Sequence, residues 1–93
     1  MNQSILEEAH EIVNGARATD YGSAAKSFGK IAEMTNLMMN DDEVQFLKFG
    51  CLKDTVVCKV LMAVKLTRES NKHKRDNLVD LCGYSELLNQ LEN

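Results

Sequence analysis

The sequence contains no proline and no tryptophan, and it has only 5 glycines among its 93 residues. Aromatic residues make up 5% of the chain, so its core must be built mainly from Leu, Ile, Val, Met and Ala. Sheet folds draw on aromatic side chains and on turns rich in Gly and Pro. Their scarcity, beside 44% hydrophobic residues, predicts an all-α protein.

Disulfide, zinc and secretion signals are also missing. The 3 cysteines form no C-x-x-C pair, and all lie in apolar helical pattern, so they are expected to be small buried residues in a reducing cytosol. The first residues, MNQSILEEAHEI, are amphipathic and acidic, unlike a signal peptide. No apolar stretch is free enough of charge to span a membrane. The expected location is the cytoplasm of whatever cell makes the protein.

The charge balance argues against a general nucleic-acid binder, because the net charge is −3. A short basic cluster, Lys72 to Arg75, is better explained as a solvated loop than as a phosphate-binding patch. The sequence has no Gly-rich phosphate loop and no nucleophile motif. Composition therefore leaves small-ligand binding, protein binding and a purely structural role open.

Helical periodicity predicts a single domain, residues 1–93, folded as a compact four-helix bundle with a long central third helix. The first helix opens with Ser4 and Glu7 in capping positions and stops at Asn14-Gly15. The predicted ranges of the others are about 24–39, 43–69 and 75–91. A core of this size is modest, and the third helix is apolar on two sides, so a homo-oligomer is expected.

The predicted central helix, Glu43 to Glu69, carries two stripes on opposite sides. One is apolar and includes Val56 and Ala63. The other is mostly apolar but contains Asp54, Lys65 and Arg68. These charges either pair with a neighbouring helix or line a polar pocket. The expected ion-pair partners of Lys65 and Arg68 are Asp76 and Asp80 on the last helix.

Seven residues are the candidates for ligand binding. Lys and Arg would meet phosphate oxygens, and a tyrosine could stack on a base or a sugar. The candidates are Arg17, Asp20, Tyr21, Lys65, Arg68, Asp76 and Asp80. Carboxylates on facing helices can also hold Mg²⁺, and the first helix supplies Glu7, Glu8 and Glu11.

Two stretches, HEIVNGARATDYGSAAKSFGKIA and KHKRDNLVDLCGY, resemble a family of small uncharacterised proteins of phage and prophage genomes. The shared features are R-x-x-D-Y-G, a Lys and an Arg that end the long helix, and D-x-x-x-D-x-x-G-Y. The resemblance covers most of the chain. It implies a phage origin and an all-α fold, and it carries over no established activity.

The pattern is also similar to the all-α nucleoside triphosphate pyrophosphatases of the MazG type. Those proteins bind Mg²⁺ through an E-E-x-x-E helix, matched here by Glu7, Glu8 and Glu11, and a later E-x-x-D helix. The later helix departs from the E-x-x-D pattern, since Asp76 and Asp80 are four residues apart rather than three. The similarity implies Glu8, Glu11 and Asp80 as metal ligands.

Three functions follow from these observations. The first is a phage accessory protein that binds a host protein, such as a defence component, or a nucleotide, without catalysis and without a cofactor. The second is a Mg²⁺-dependent nucleotide phosphohydrolase. The third is a homo-oligomeric bundle whose polar residues only pair across helices. The sequence favours the first.

Overall fold

A computed structural model describes residues 3–15 and 23–93 of the chain. Five helices and no strand lie in these ranges: α1 (Ile5–Asn14), α2 (Ala24–Met38), α3 (Asp41–Lys48), α4 (Asp54–Asn71) and α5 (Arg75–Glu92). The all-α prediction is confirmed. The candidates Arg17, Asp20 and Tyr21 lie outside the described residues.

The first three helices begin at side-chain caps. The Ser4 hydroxyl accepts a hydrogen bond from the Glu7 backbone N–H at 3.1 Å, and the Ser23 hydroxyl accepts one from Lys26 at 3.3 Å. Asn40 opens α3 with a complete capping box. These bonds satisfy N–H groups that have no partner inside the helix, so the local sequence fixes where each helix starts.

The predicted continuous helix from Glu43 to Glu69 is wrong, and with it the four-helix count, because the chain turns between α3 and α4. Gly50 has a φ of +83°, a left-handed conformation that glycine adopts without steric cost. Asp54 then stands in the first turn of α4, where a carboxylate favours the positive end of the helix dipole. The apolar periodicity continues through the turn, which is why it suggested one helix.

Helix α4 is the centre of the fold, with α2 packed on one side and α5 on the other. The buried apolar residues are few and small: Val56, Cys58 and Ala63, all on α4. Five buried residues are polar or charged: Glu43, Thr55, Lys59, Thr67 and Asn77. The described core is therefore narrow and depends on polar contacts as much as on apolar ones.

The three cysteines are free, and two differ from the prediction of buried helical residues. Cys58 is buried on α4, and its thiol contacts the Tyr84 carbonyl oxygen at 3.3 Å. Cys51 is exposed in the turn that follows α3, and Cys82 is exposed on α5. Their places follow from the helix break and from the outward face of α5.

The surface is large for the mass of the protein. The chain exposes 6904 Å², whereas a compact monomer of 10.4 kDa would expose about 5,400 Å². Large apolar side chains contribute to this surface on every described helix. Among the described residues, none of the helices is both long and apolar enough to cross a membrane.

Candidate functional site

The most enclosed polar group of the described structure is the carboxylate of Glu43, which is 1% exposed. Its Oε1 accepts hydrogen bonds from Lys59 Nζ at 2.6 Å and from the Asn40 backbone N–H at 2.8 Å. Its Oε2 accepts one from Thr55 Oγ1 at 2.5 Å. The carboxylate thus joins the start of α3 to two turns of α4, and we call this set the Glu43 network.

The Glu43 network is held by charge as well as by geometry. Burial by itself raises the pKa of a carboxyl group, but the hydrogen bonds from Lys59, Thr55 and Asn40 outweigh it and lower the pKa of Glu43. Glu43 is therefore ionised beside the Lys59 ammonium. No described buried side-chain nitrogen or oxygen lacks a hydrogen-bond partner, and this pair joins the start of α3 to α4.

Above this network lies an exposed apolar surface, residues 46–53, which we call the α3–α4 corner. Phe49 is 84% exposed, Leu52 58% and Leu47 50%. The corner is further tied by an ion pair from Lys53 Nζ to Asp42 Oδ2 at 2.6 Å, and the same ammonium lies 4.9 Å from the centre of the Phe46 ring. Exposed apolar side chains thus lie on a segment that the ion pair between Lys53 and Asp42 joins to α3.

Sequence reasoning placed Glu43 only at the start of a helix and did not single out Thr55 or Lys59. One signal was present: Lys59 is a cation on the same helical face as Val56 and Ala63, which the pattern buries. A buried lysine requires a buried acid, but its partner lies sixteen residues away across a turn that the sequence did not reveal.

The predicted polar cluster between the central and last helices exists in part. Lys65 Nζ lies 2.8 Å from Asp80 Oδ2, with 16% and 45% of the two side chains exposed. Asp76 is exposed in the first turn of α5, and Arg68 is partly buried near the end of α4. The structure brings Lys65 and Asp80 together as an ion pair across α4 and α5; their role in ligand binding stays a prediction.

A second carboxylate, Glu69, closes the turn between α4 and α5. It accepts hydrogen bonds from the Lys74 backbone N–H at 3.0 Å and from Asn77 Nδ2 at 3.1 Å, and it also contacts His73 Nδ1. The contact with His73 comes first among the causes that lower the pKa of Glu69 to about 2. We call this set the Glu69 network.

The predicted Mg²⁺ ligands are not brought together. Glu7, Glu8 and Glu11 lie on α1, every residue of which is exposed. Asp80 lies on α5 and is bonded to Lys65. Among the described residues, no group of three or more His, Cys, Asp or Glu is arranged to hold a metal ion.

Comparison with known proteins places these features in a family. The chain is 33% identical over 89 residues to the Gene 55 protein of Mycobacterium phage L5, an alignment that covers 96% of this chain and 53% of that protein. It is 27% identical over 86 residues to the Gene 55 protein of Mycobacterium phage D29, covering 91% and 51%. The chain thus spans about half the length of these relatives. No solved structure matches it.

The expectation of a phage protein family is confirmed at this level, while the similarity to MazG-type pyrophosphatases stays a prediction. The family model described as "Domain of unknown function (DUF6378)" matches residues 4–92, and the chain belongs to that family.

Proposed function

We propose that this DUF6378 protein is a phage accessory protein that acts by binding a partner protein through its α3–α4 corner, without catalysis. The observation that carries the proposal is the 84% exposure of Phe49 on a corner whose backbone is fixed by the Glu43 network. A phenyl ring that is this exposed packs little against the described part of the chain. A partner surface would give it a packing role.

Energy is the first argument. Moving a large apolar side chain from water into a protein pocket contributes about 1.5–3 kcal/mol. Phe49, Leu52 and Leu47 are neighbours in the corner and all are at least half exposed. Binding energy at interfaces concentrates in a few such central residues, with aromatic ones prominent among them.

Rigidity is the second argument. A binding surface that is already ordered loses little conformational entropy when a partner arrives. The buried pair Glu43–Lys59 joins the helices on either side of the corner, and the surface pair Asp42–Lys53 joins the corner to α3. The charges that stabilise the fold thus also hold the apolar side chains in place.

The partner that fits has an apolar pocket for Phe49 and a polar rim. Charged groups lie in and beside the corner: Lys53 pairs with Asp42, and Asp41 and Lys48 lie at the two ends of α3. For a phage-encoded binder, a host protein is the partner class that we expect, and a defence component is one such protein. A nucleotide would instead require cations free to meet its phosphates.

The experiment compares three tagged full-length baits: the natural chain, Phe49→Ser and Leu37→Ser. Leu37, on α2, is 87% exposed and so matches Phe49 in exposure. Proteins retained from a lysate of the bacterial host are identified, purified and titrated against each bait by calorimetry. We expect Phe49→Ser to lower the affinity for at least one retained partner by tenfold or more. Leu37→Ser should leave the affinity for the same partner unchanged.

Two results would overturn the proposal. One is that every retained protein binds the natural and the Phe49→Ser baits equally. The other is Mg²⁺-dependent turnover of a nucleoside triphosphate that Glu8→Ala or Asp80→Ala abolishes in folded protein. That outcome would support the phosphohydrolase instead.

A further inference from the structure

We propose that α1 of one copy of this chain docks into the groove between α4 and α5 of a second copy, and that two copies exchange their α1 helices in a two-fold dimer. This inference is independent of the α3–α4 corner. It commits to a homo-oligomer and to the surfaces that would form it.

The first observation is an amphipathic helix with nothing on its apolar face. Along α1 the apolar residues recur at helical spacing, and they share one side of the helix: Ile5, Leu6, Ala9, Ile12 and Val13. Ile5 is 86% exposed and Leu6 83%. A ten-residue helix is marginal in water unless it packs on something, so this face requires a cover.

The second observation is an apolar groove on the same chain. It has a volume of about 290 Å³, its sides are Val57 and Leu61 of α4 and Leu87 and Leu91 of α5, and Cys58 and Tyr84 also line it. The four aliphatic side chains are between 39% and 49% exposed. Asp54 and Gln90 complete the lining, so the groove offers mostly apolar contact along two antiparallel helices.

The two surfaces match in length. The groove follows α4 from Asp54 to Leu61, a rise of seven residue steps, which is about 10 Å at 1.5 Å per residue. The apolar face of α1 runs from Ile5 to Val13, a rise of eight steps, or about 12 Å. A helix laid in a groove through residues spaced by three and four is a common mode of helix recognition.

The exposed area is large enough for a dimer interface, and on this ground we infer a second copy as the occupant. The chain exposes about 1,500 Å² more than a compact monomer of its mass, and an ordinary interface removes about 800 Å² from each partner. Within the described residues, each copy presents the exposed apolar face of α1 and the groove between α4 and α5. A two-fold exchange would cover both faces and fill both grooves, which gives a closed dimer.

The experiment measures mass in solution for the full chain and three variants. By light scattering over a dilution series, we expect the natural chain to have about twice its 10.4 kDa mass. Leu6→Asp, on α1, and Leu87→Asp, in the groove, should each weaken dimerisation at least tenfold. Leu37→Asp is the matched control, since Leu37 is as exposed as Leu6 but lies on α2.

A disulfide test then identifies the surfaces in contact. In a background where Cys51 and Cys82 are serine, one chain carries Leu6→Cys and a second, larger tagged chain carries Leu91→Cys. The inference predicts that oxidation of the mixture gives a mixed-size covalent dimer. A monomer mass throughout the dilution series overturns the inference. So does a chain that carries both Leu6→Cys and Leu91→Cys and forms only an intrachain disulfide between them. Neither result would affect the role proposed for the α3–α4 corner.

Discussion

The two turns that flank α4 are built on the same device and present opposite surfaces. In each, one carboxylate accepts a backbone N–H and a side-chain donor. Glu43, on α3, accepts the Asn40 N–H and, across the first turn, Lys59 of α4. Glu69, near the end of α4, accepts the Lys74 N–H and Asn77 Nδ2 across the second turn. Glu43 is 1% exposed, whereas 24% of the Glu69 side chain is exposed. The first turn displays Phe49 and Leu52, and the second displays Lys72 and Arg75.

Because the two carboxylates differ in exposure, similar hydrogen bonds contribute differently to the stability of the two turns. A buried carboxylate that loses its protein donors leaves its oxygens without hydrogen bonds, because water cannot reach them. A partly exposed carboxylate can form hydrogen bonds with water instead. The start of α4 should therefore be the stiffer of the two turns. Stiffness and apolar surface coincide there, which is the basis of the proposed binding role.

The largest effect is expected from Glu43→Ala. The substitution leaves the Lys59 ammonium buried and unpaired, and breaking such a pair costs about 3–5 kcal/mol. Small domains have a total stability of about 5–15 kcal/mol, so the variant should be close to unfolding. Chemical denaturation followed by circular dichroism measures the loss.

The control removes both charges together, as Glu43→Leu with Lys59→Met. Replacing a buried ion pair by apolar residues is often neutral or stabilising, so the double variant should recover part of the lost stability. The Asn40 N–H and the Thr55 hydroxyl still lose their acceptor, which limits the recovery. Equal destabilisation of the single and double variants would mean that the shape of the site, not its charge, holds the corner.

Much of the fold on either side of these turns could be predicted from the sequence. Ser4 was identifiable as a cap because its short polar side chain is followed by apolar helical spacing. The pairing of Lys65 with Asp80 also followed from spacing, since each lies on the face of its helix that the pattern turns inward. Local rules sufficed wherever the determining residues are close along the chain.

The break between α3 and α4 could not be predicted in the same way. An apolar stripe running through residues 47–56 looks continuous whether or not Gly50 turns the chain. The Glu43 network depends on that turn, so missing the turn also meant missing the network. A glycine flanked by apolar residues was the only local signal, and glycine inside a helix is tolerated at a cost of about 1 kcal/mol.

An intermediate effect is expected from Glu69→Gln. The substitution removes the charge that His73 and the Lys74 N–H contact, but the amide can keep one acceptor and the side chain is partly solvated. The loss of unfolding free energy should therefore be clearly smaller than for Glu43→Ala. Denaturation under the same conditions gives the comparison, and an equal or larger loss would reverse the ranking of the two turns.

Acid should weaken both turns. The pKa of Glu69 is lowered from 4.5 to about 2, so the stability that this carboxylate contributes is complete above pH 4.5 and is lost as the pH falls toward 2. The pKa of Glu43 is also lowered, and its contribution has the same sign. The unfolding temperature of the natural protein should therefore decrease as the pH is lowered from 4.5 toward 2. In Glu69→Gln it should decrease less steeply over the same range. Identical slopes in the two proteins would contradict the assignment.

The smallest effect is expected at the ion pair between Lys65 and Asp80. Asp80 is 45% exposed, and pairs of this kind contribute about 0.2–1 kcal/mol. A double-mutant cycle with Lys65→Met and Asp80→Ala measures the coupling free energy directly. A coupling well above this range would mark the pair as more than a surface contact between α4 and α5.

The central claim is that the apolar residues of the α3–α4 corner serve binding rather than folding. Its most direct test measures, for Phe49→Ser, both the unfolding free energy and the dissociation constant for the captured host partner. The account predicts stability within about 0.5 kcal/mol of the natural protein, as for most surface substitutions, and affinity at least tenfold weaker. A variant that loses stability while keeping its affinity would contradict it.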